Sequence, residues 1–121
     1  MKMISVVPML PVKHVPASVA WYEKLGFNVL DRNDQWGWAM LAFGDCRLMV
    51  DQSINLHPEA PRMSVLYLYP DDIVAYHAFV RDNGVDIPDL ENTFYDMVEF
   101  RIADPDGNRL WIGQSTAANG K

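Results

Sequence analysis

Residues 43–50, "FGDCRLMV", and residues 106–113, "DGNRLWIG", each consist of a glycine turn, a polar residue and a strand opening on Arg-Leu. The segments around them also run in one order, strand, helix, then three strands, so the chain reads as a βαβββ unit written twice. A duplication of this kind constrains the fold more than any single motif, because each unit has to bury one face of its sheet under its own helix. The other face of each sheet is left without a helix. Two such units side by side would leave a concave groove, the kind of place where small molecules bind.

Residues 4–12, "ISVVPMLPV", are apolar and β-branched but carry Pro8 and Pro11, which cannot donate ladder hydrogen bonds; they predict an edge strand or one that leaves its own body. In "VPASVAWYEKLGF" Pro16 opens a helix over 16–25. Val15, Val19, Tyr22 and Leu25 fall at helical spacing, and Gly26 stands where a left-handed cap is needed. "FNVLDR", "WGWAMLAF" and "CRLMVD" then read as three antiparallel strands punctuated by "NDQ" and "GD". The second unit repeats the order with "MSVLYLY", a helix in "PDDIVAYHAFVRDNG" capped by Asp71 or Asp72, and strands in "VDIPDLE", "VEFRIAD" and "NRLWIGQ". The boundaries expected are a first module at about 1–52, a linker at 53–62 and a second module at about 63–115, in one domain of 121 residues. The end, "STAANGK", reads as a disordered tail.

Bulk composition excludes several classes of function. Sixteen acids against ten bases give a net charge of −6 with no basic cluster, which opposes nucleic acid or an anionic membrane as partner. No apolar run approaches the roughly 20 residues of a membrane span, and no signal peptide is evident, so a soluble cytoplasmic protein is expected. The single cysteine, Cys46, excludes an internal disulfide and reads as a small buried hydrophobe in a strand.

The segments "LPVKHVPASVAWYEKLGF", "DDIVAYHAFVRDNGV" and "VEFRIADPDGNRLWIGQ" resemble, in order and spacing, the vicinal oxygen chelate superfamily, and within it the glyoxalase/bleomycin resistance protein branch. The resemblance covers nearly the whole chain and implies an α+β fold of two βαβββ modules. That superfamily includes metal-dependent lyases, isomerases, dioxygenases and thiol transferases, as well as metal-free proteins that sequester antibiotics, and fold alone does not choose among them.

The resemblance implies that the enzymes' divalent cation would be held at strand positions falling here at about Val7, at Arg47 or Met49, and at Trp111. Valine and tryptophan offer no lone pair, arginine is positively charged, and a thioether is too soft for oxygen-favouring metals. His14, His57 and His77 fall before a helix, in the linker and on a helix, with no second ligand beside them. "DPDG" reads as a turn rather than part of a calcium loop. No serine lies in a strained elbow and Cys46 has no evident base, so the expectation is neither metal nor cofactor nor nucleophile.

In place of ligands the resemblance sets Trp111 in the groove, since strand alternation sends Leu110 and Ile112 to the helix-covered side. The same parity puts Trp36, Trp38 and Met40 on one face of their strand, although a single slip of register would reverse them. Phe94 and Tyr95 fall where drug-binding relatives often carry an aromatic. The family's glycine and arginine before "EF" are replaced by Asp96 and Val98. With Met49 nearby and Asp31, Asp34, Asp51 and Asp96 around the rings, such a groove would suit a flat cationic or aromatic molecule, each ring face attracting a cation by about 0.5–2 kcal/mol.

In the resembling drug-binding proteins the N-terminal arm crosses to a second copy at a proline, and Pro8 matches that place. A homodimer is therefore expected. The function expected is metal-free sequestration of a cationic or aromatic antibiotic, as in bleomycin resistance. The alternatives are a divalent-metal-dependent lyase or dioxygenase with relocated ligands, and a ligand-responsive accessory domain.

Overall fold

A computed structural model describes residues 1–116; of the tail expected at 115–121, Ser115 instead closes the last strand and residues 117–121 lie outside the described residues. The chain divides into two compact units, Met1–Ala60 and a second opening at Pro61. The first holds β1 (Met9–Pro11), α1 (Val15–Lys24), β2 (Asn28–Asn33), β3 (Trp38–Phe43) and β4 (Cys46–Asp51). The second holds β5 (Val65–Leu68), α2 (Ile73–Asp82), β6 (Glu91–Asn92), β7 (Met97–Ala103) and β8 (Arg109–Ser115). The sheets are ordered β1-β4-β3-β2 and β5-β8-β7-β6. In both, the first strand runs parallel to the last and the other neighbours are antiparallel. The architecture is thus α+β, one βαβββ topology used twice.

Each helix forms for reasons visible in its sequence. In α1, His14 caps the start by accepting from Ala17 N at 3.3 Å, a proline occupies the first turn, and Gly26 closes the end at φ +101°. Its inward residues Val15, Val19 and Tyr22, with Leu25 after them, are 0–2% exposed, as are Ala39, Leu41 and Val50 of β3 and β4. Tyr22 meets Phe27 edge-on, and Phe27 meets Phe43 likewise. In α2, Asp72 caps by accepting from Ala75 N at 3.0 Å, and Ile73, His77 and Val80 turn inward, the imidazole lying edge-on to Phe100.

The duplication extends to a contact that the sequence does not advertise. Val15 N, at the start of α1, donates to Gln52 Oε1 at 2.8 Å, and Ile73 N, at the start of α2, donates to Gln114 Oε1 at 2.8 Å. The two glutamines follow the repeat arginines Arg47 and Arg109 at the same spacing. In each unit the end of the last strand therefore fixes the entry of the helix, satisfying an N–H that no helical carbonyl can reach.

The structure corrects several expectations. The first strand is reduced to Met9–Pro11, because Pro8 breaks the ladder; its carbonyl still accepts from Met49 N at 2.9 Å. Residues 85–90 form no strand. Val85 and Ile87 are buried, and the backbone is engaged by α2 side chains, Arg81 Nη2 donating to Ile87 O at 2.9 Å and His77 Nε2 lying 2.7 Å from Pro88 O. Cys46 is exposed, since it opens β4 directly after the Gly44–Asp45 turn. β3 begins at Trp38, which leaves Trp36 in the preceding turn at 73% exposure and outside the strand parity that grouped it with Trp38. No helix among the described residues is long and apolar enough to cross a membrane.

Two stability effects are expected. Gln114→Ala, or Gln52→Ala, should lower the free energy of unfolding by about 1 kcal/mol through loss of the helix-start bond. Ser18 is 1% exposed on α1 and its hydroxyl has no hydrogen-bond partner among the described residues; Ser18→Ala should therefore raise stability by about 1 kcal/mol. Urea denaturation of the three variants measures both.

Candidate functional site

Strand alternation sorts the second sheet into two faces. Leu110 and Ile112 are fully buried on the face that carries Phe100 and α2. The opposite, helix-free face holds Tyr67, Trp111 and Arg101 in one cross-strand row and Gly113, Glu99 and the exposed Glu91 in the next. Gly113 is needed there: a Cβ at that position would lie 2.5 Å from the Tyr67 hydroxyl. The missing side chain lets Tyr67, on β5, reach over β8 and donate to Glu99 Oε2 on β7 at 2.5 Å.

Glu99 is the hub of this face at 1% exposure. Its Oε1 accepts from the Tyr95 hydroxyl at 2.6 Å and from Arg101 Nε at 2.9 Å. Arg101 Nη2 also donates to the Tyr95 oxygen at 2.9 Å, and the guanidinium carbon stands 3.6 Å from the centroid of the Trp111 ring. Tyr67 meets Trp111 edge-on and stacks on Tyr69 at 4.7 Å. Burial alone would push the Glu99 carboxyl upward, but bonds from Tyr67, Tyr95 and Arg101 outweigh it and hold the group below its ordinary value. Burial, then the bond to this carboxylate, pushes the Tyr67 phenol well up. At neutral pH the cluster is an ionised Glu99 paired with an arginine and accepting from two phenol hydroxyls.

The helix-free face of the first sheet carries a row Met9, Met49, Met40, Asp31 and a second row Pro11, Asp51, Trp38, Asn33. Trp38 Nε1 donates to Met49 Sδ at 3.1 Å. Asp51, 9% exposed, accepts from Ser53 N and Oγ at 2.6 Å through Oδ1. Of the residues singled out from sequence, Asp31, Trp38, Met49 and Asp51 share this face, and Trp111 lies on the second sheet's face with Tyr95 beside it. Phe94 is 97% exposed, touching the Tyr95 ring edge-on. Asp34 pairs with Arg32 in the β2–β3 turn, and Asp96 takes φ +62°, the left-handed region that suits the glycine its family pattern carries there.

Sequence reasoning missed Tyr67, Glu99, Arg101 and Gly113. Two signals were present: "VEFR" spaces an acid and a base for one face of a strand, and "YLY" spaces two rings in the same way.

The residues at the family's metal positions do not form a donor set. Val7 precedes β1, and Arg47 Nη1 turns onto its own hairpin, donating to Gly44 O at 2.7 Å and Cys46 O at 3.0 Å. Met49 is engaged by Trp38, and Trp111 lies under Arg101. Asp104 of "DPDG" accepts from Asp106 N, Asn108 N and Asn108 Nδ2 at 2.8–2.9 Å, so its carboxylate is spent on its own turn. Among the described residues no three His, Cys, Asp or Glu side chains converge to hold a metal ion.

Because Glu99 titrates lower folded than unfolded, its contribution is present above the unfolded carboxyl value of 4.5 and is lost as pH falls through the folded value. Glu99→Gln should cost about 2 kcal/mol at pH 7, and the gap from wild type should narrow steadily below about pH 4, as read by denaturation at stepped pH.

The fold and this geometry can be set beside known proteins. A family model described as the Glyoxalase/Bleomycin resistance protein/Dioxygenase superfamily matches residues 4–112. No curated protein matches the chain in sequence. A bleomycin resistance determinant encoded on the transposon Tn5 is similar in structure, with TM-score 0.79 and 25% identity, covering 95% of this chain and 100% of that one. A bleomycin-binding protein solved in complex with bleomycin follows at TM-score 0.77 and 25% identity, covering 92% of this chain and 98% of that one. A glyoxalase/bleomycin resistance protein from Catenulispora acidiphila, at 19% identity and TM-score 0.73 over 92% of this chain and 97% of its own, supports the fold alone. With the family model spanning most of its length, the chain belongs to the glyoxalase/bleomycin resistance protein/dioxygenase superfamily.

Proposed function

We propose that this protein binds a flat aromatic or cationic antibiotic and sequesters it, as a metal-free resistance protein of the bleomycin-binding kind. The observation that carries the reading is the helix-free face of the second sheet, where Trp111 stands at the family's metal position amid Tyr67, Tyr69 and Tyr95. Sequestration requires shape and attraction but no reacting group, and aromatic rings held by hydrogen bonds lose little entropy on binding. Within the second unit Phe94 and Tyr95 supply further aromatic surface; the first unit by itself offers a ring, Trp38, and the carboxylates of Asp31 and Asp51 to a cation. Trp36 belongs to the reading only as an exposed ring on a neighbouring turn. The similarity to a protein solved with bleomycin supports the ligand class.

The working form in this proposal is a cytoplasmic homodimer. Met1, Met3, Ile4 and Val6 are 79–127% exposed ahead of Pro8, an apolar arm that a second copy would cover. Size-exclusion chromatography with light scattering should give twice the chain mass for the full protein and a monomer after removal of residues 1–7.

Binding is tested by tryptophan fluorescence during titration with bleomycin and a panel of unrelated aromatic compounds, cationic and anionic, on protein shown by elemental analysis to carry no metal. Saturable quenching is expected, with affinity falling by about tenfold or more in Trp111→Ala, and expression should raise bacterial survival on the bound compound. Silence toward every compound, together with a stoichiometric divalent ion and turnover, would replace this reading with a metal-dependent lyase or dioxygenase. Binding without survival would leave an accessory ligand-responsive domain.

A further inference from the structure

Glu99, central on the second sheet's helix-free face, is not free to meet a cationic ligand; the exposed carboxylate of its row is Glu91, opposite it on the edge strand β6. Both Glu99 oxygens are occupied, Oε1 by Tyr95 and Arg101 and Oε2 by Tyr67, and the residue is 1% exposed. The Trp111 ring face, the other feature that could attract a cation, is already covered by the chain's own guanidinium at 3.6 Å. A ligand cation would have to displace an arginine that is held by two side chains besides the ring. The unspent groups next to Trp111 are of the opposite kind. Arg101 uses Nε on Glu99 and Nη2 on Tyr95, and among the described residues Nη1 has no hydrogen-bond partner. Its side chain is 47% exposed, so this corner can be approached. The Trp111 indole N–H likewise has no partner among the described residues.

We propose that this face recognises an aromatic carboxylate, or the carboxylate-bearing aromatic part of a larger ligand. The carboxylate accepts from Arg101 Nη1, and the flat ring stacks beside Trp111 and the Tyr67–Tyr69 pair. Glu99 and Tyr95 act as positioning residues: they fix the guanidinium plane, so that little side-chain entropy is lost on binding. Trp111 beneath the guanidinium shields the pair from water on one side, which strengthens a charge-assisted bond. A second positive charge, Arg109, lies on the same face and donates through Nη2 to Met63 O at 2.7 Å, adding to the field an anion meets.

This inference rests on the proposed binding role and refines which chemistry the second sheet selects; cations are left to Asp31 and Asp51 on the first sheet. The test compares three probes of one shape, 2-naphthoate, 2-naphthamide and 2-naphthylmethylammonium, by calorimetry and by following the tryptophan indole N–H signals in NMR, with Trp111 assigned through Trp111→Phe. The expected order is carboxylate over amide over ammonium, with naphthoate shifting the Trp111 signal. Arg101→Gln should weaken naphthoate by about 10–100-fold, the loss of one hydrogen bond to a charged group, and leave the ammonium unweakened. Arg101→Lys, which keeps the charge beside Glu99 should Arg101→Gln fail to fold, should retain part of the preference. Ammonium binding at Trp111 as tightly as naphthoate would overturn the carboxylate assignment and leave the sheet-face binding role standing. No probe moving the Trp111 signal would overturn both.

Discussion

The alternation of side chains along a strand, with one face closed by a helix, is the constraint on which the rest of each unit depends. Once Leu110 and Ile112 are committed to the side that carries Phe100, Trp111 has no choice of direction, and neither do Tyr67, Glu99 and Arg101 on the neighbouring strands. The same holds in the first unit, where burial of Leu48 and Val50 turns Met49 to the other side. Gln52 and Gln114 tie this arrangement down by joining the end of the last strand to the first turn of the helix.

The two helix-free faces have diverged chemically on an identical frame. Met49 in the first unit and Trp111 in the second occupy matching places in the repeat, yet one is engaged by an indole and the other covered by a guanidinium. The first face is thioether-rich, with one carboxylate, Asp31, at the end of a row and another, Asp51, inside the next. The second is built around a carboxylate that has been consumed. Burying Glu99 would be costly if it were alone; three bonds and an adjacent positive charge make it an ordering element, which keeps Arg101 and two tyrosines in fixed positions.

That ordering bears on what the protein does. The side chains at the superfamily's metal positions offer no donor set, while the groups around Trp111 are preorganised rings and one directed hydrogen-bond donor. In the proposed binding role the directed donor is Arg101, whose position depends on Glu99 and hence on Gly113, the small residue that lets Tyr67 cross the sheet.

The duplicated order of elements, both helices, the Asp72 cap of α2, the glycines that follow the helices and the exact span of β4 were legible in the sequence, because periodicity, capping chemistry and glycine turns are local properties of the chain; the His14 cap of α1 was not, and the direction expected of Trp111 rested on the family resemblance. The lost strand at 85–90 was not legible, since its apolar residues pack without a ladder and α2 side chains take its carbonyls. Trp36 was misgrouped because alternation applies only after a strand has begun, and nothing local places that start at Trp38. The hub was hidden for a different reason. Tyr67 and Glu99 are 32 residues apart, and what unites them is strand order, a parallel pairing of β5 with β8 and a glycine at the crossing. Sequence determined which residues face which way along each strand; only the tertiary structure decided which strands became neighbours, and so which side chains meet.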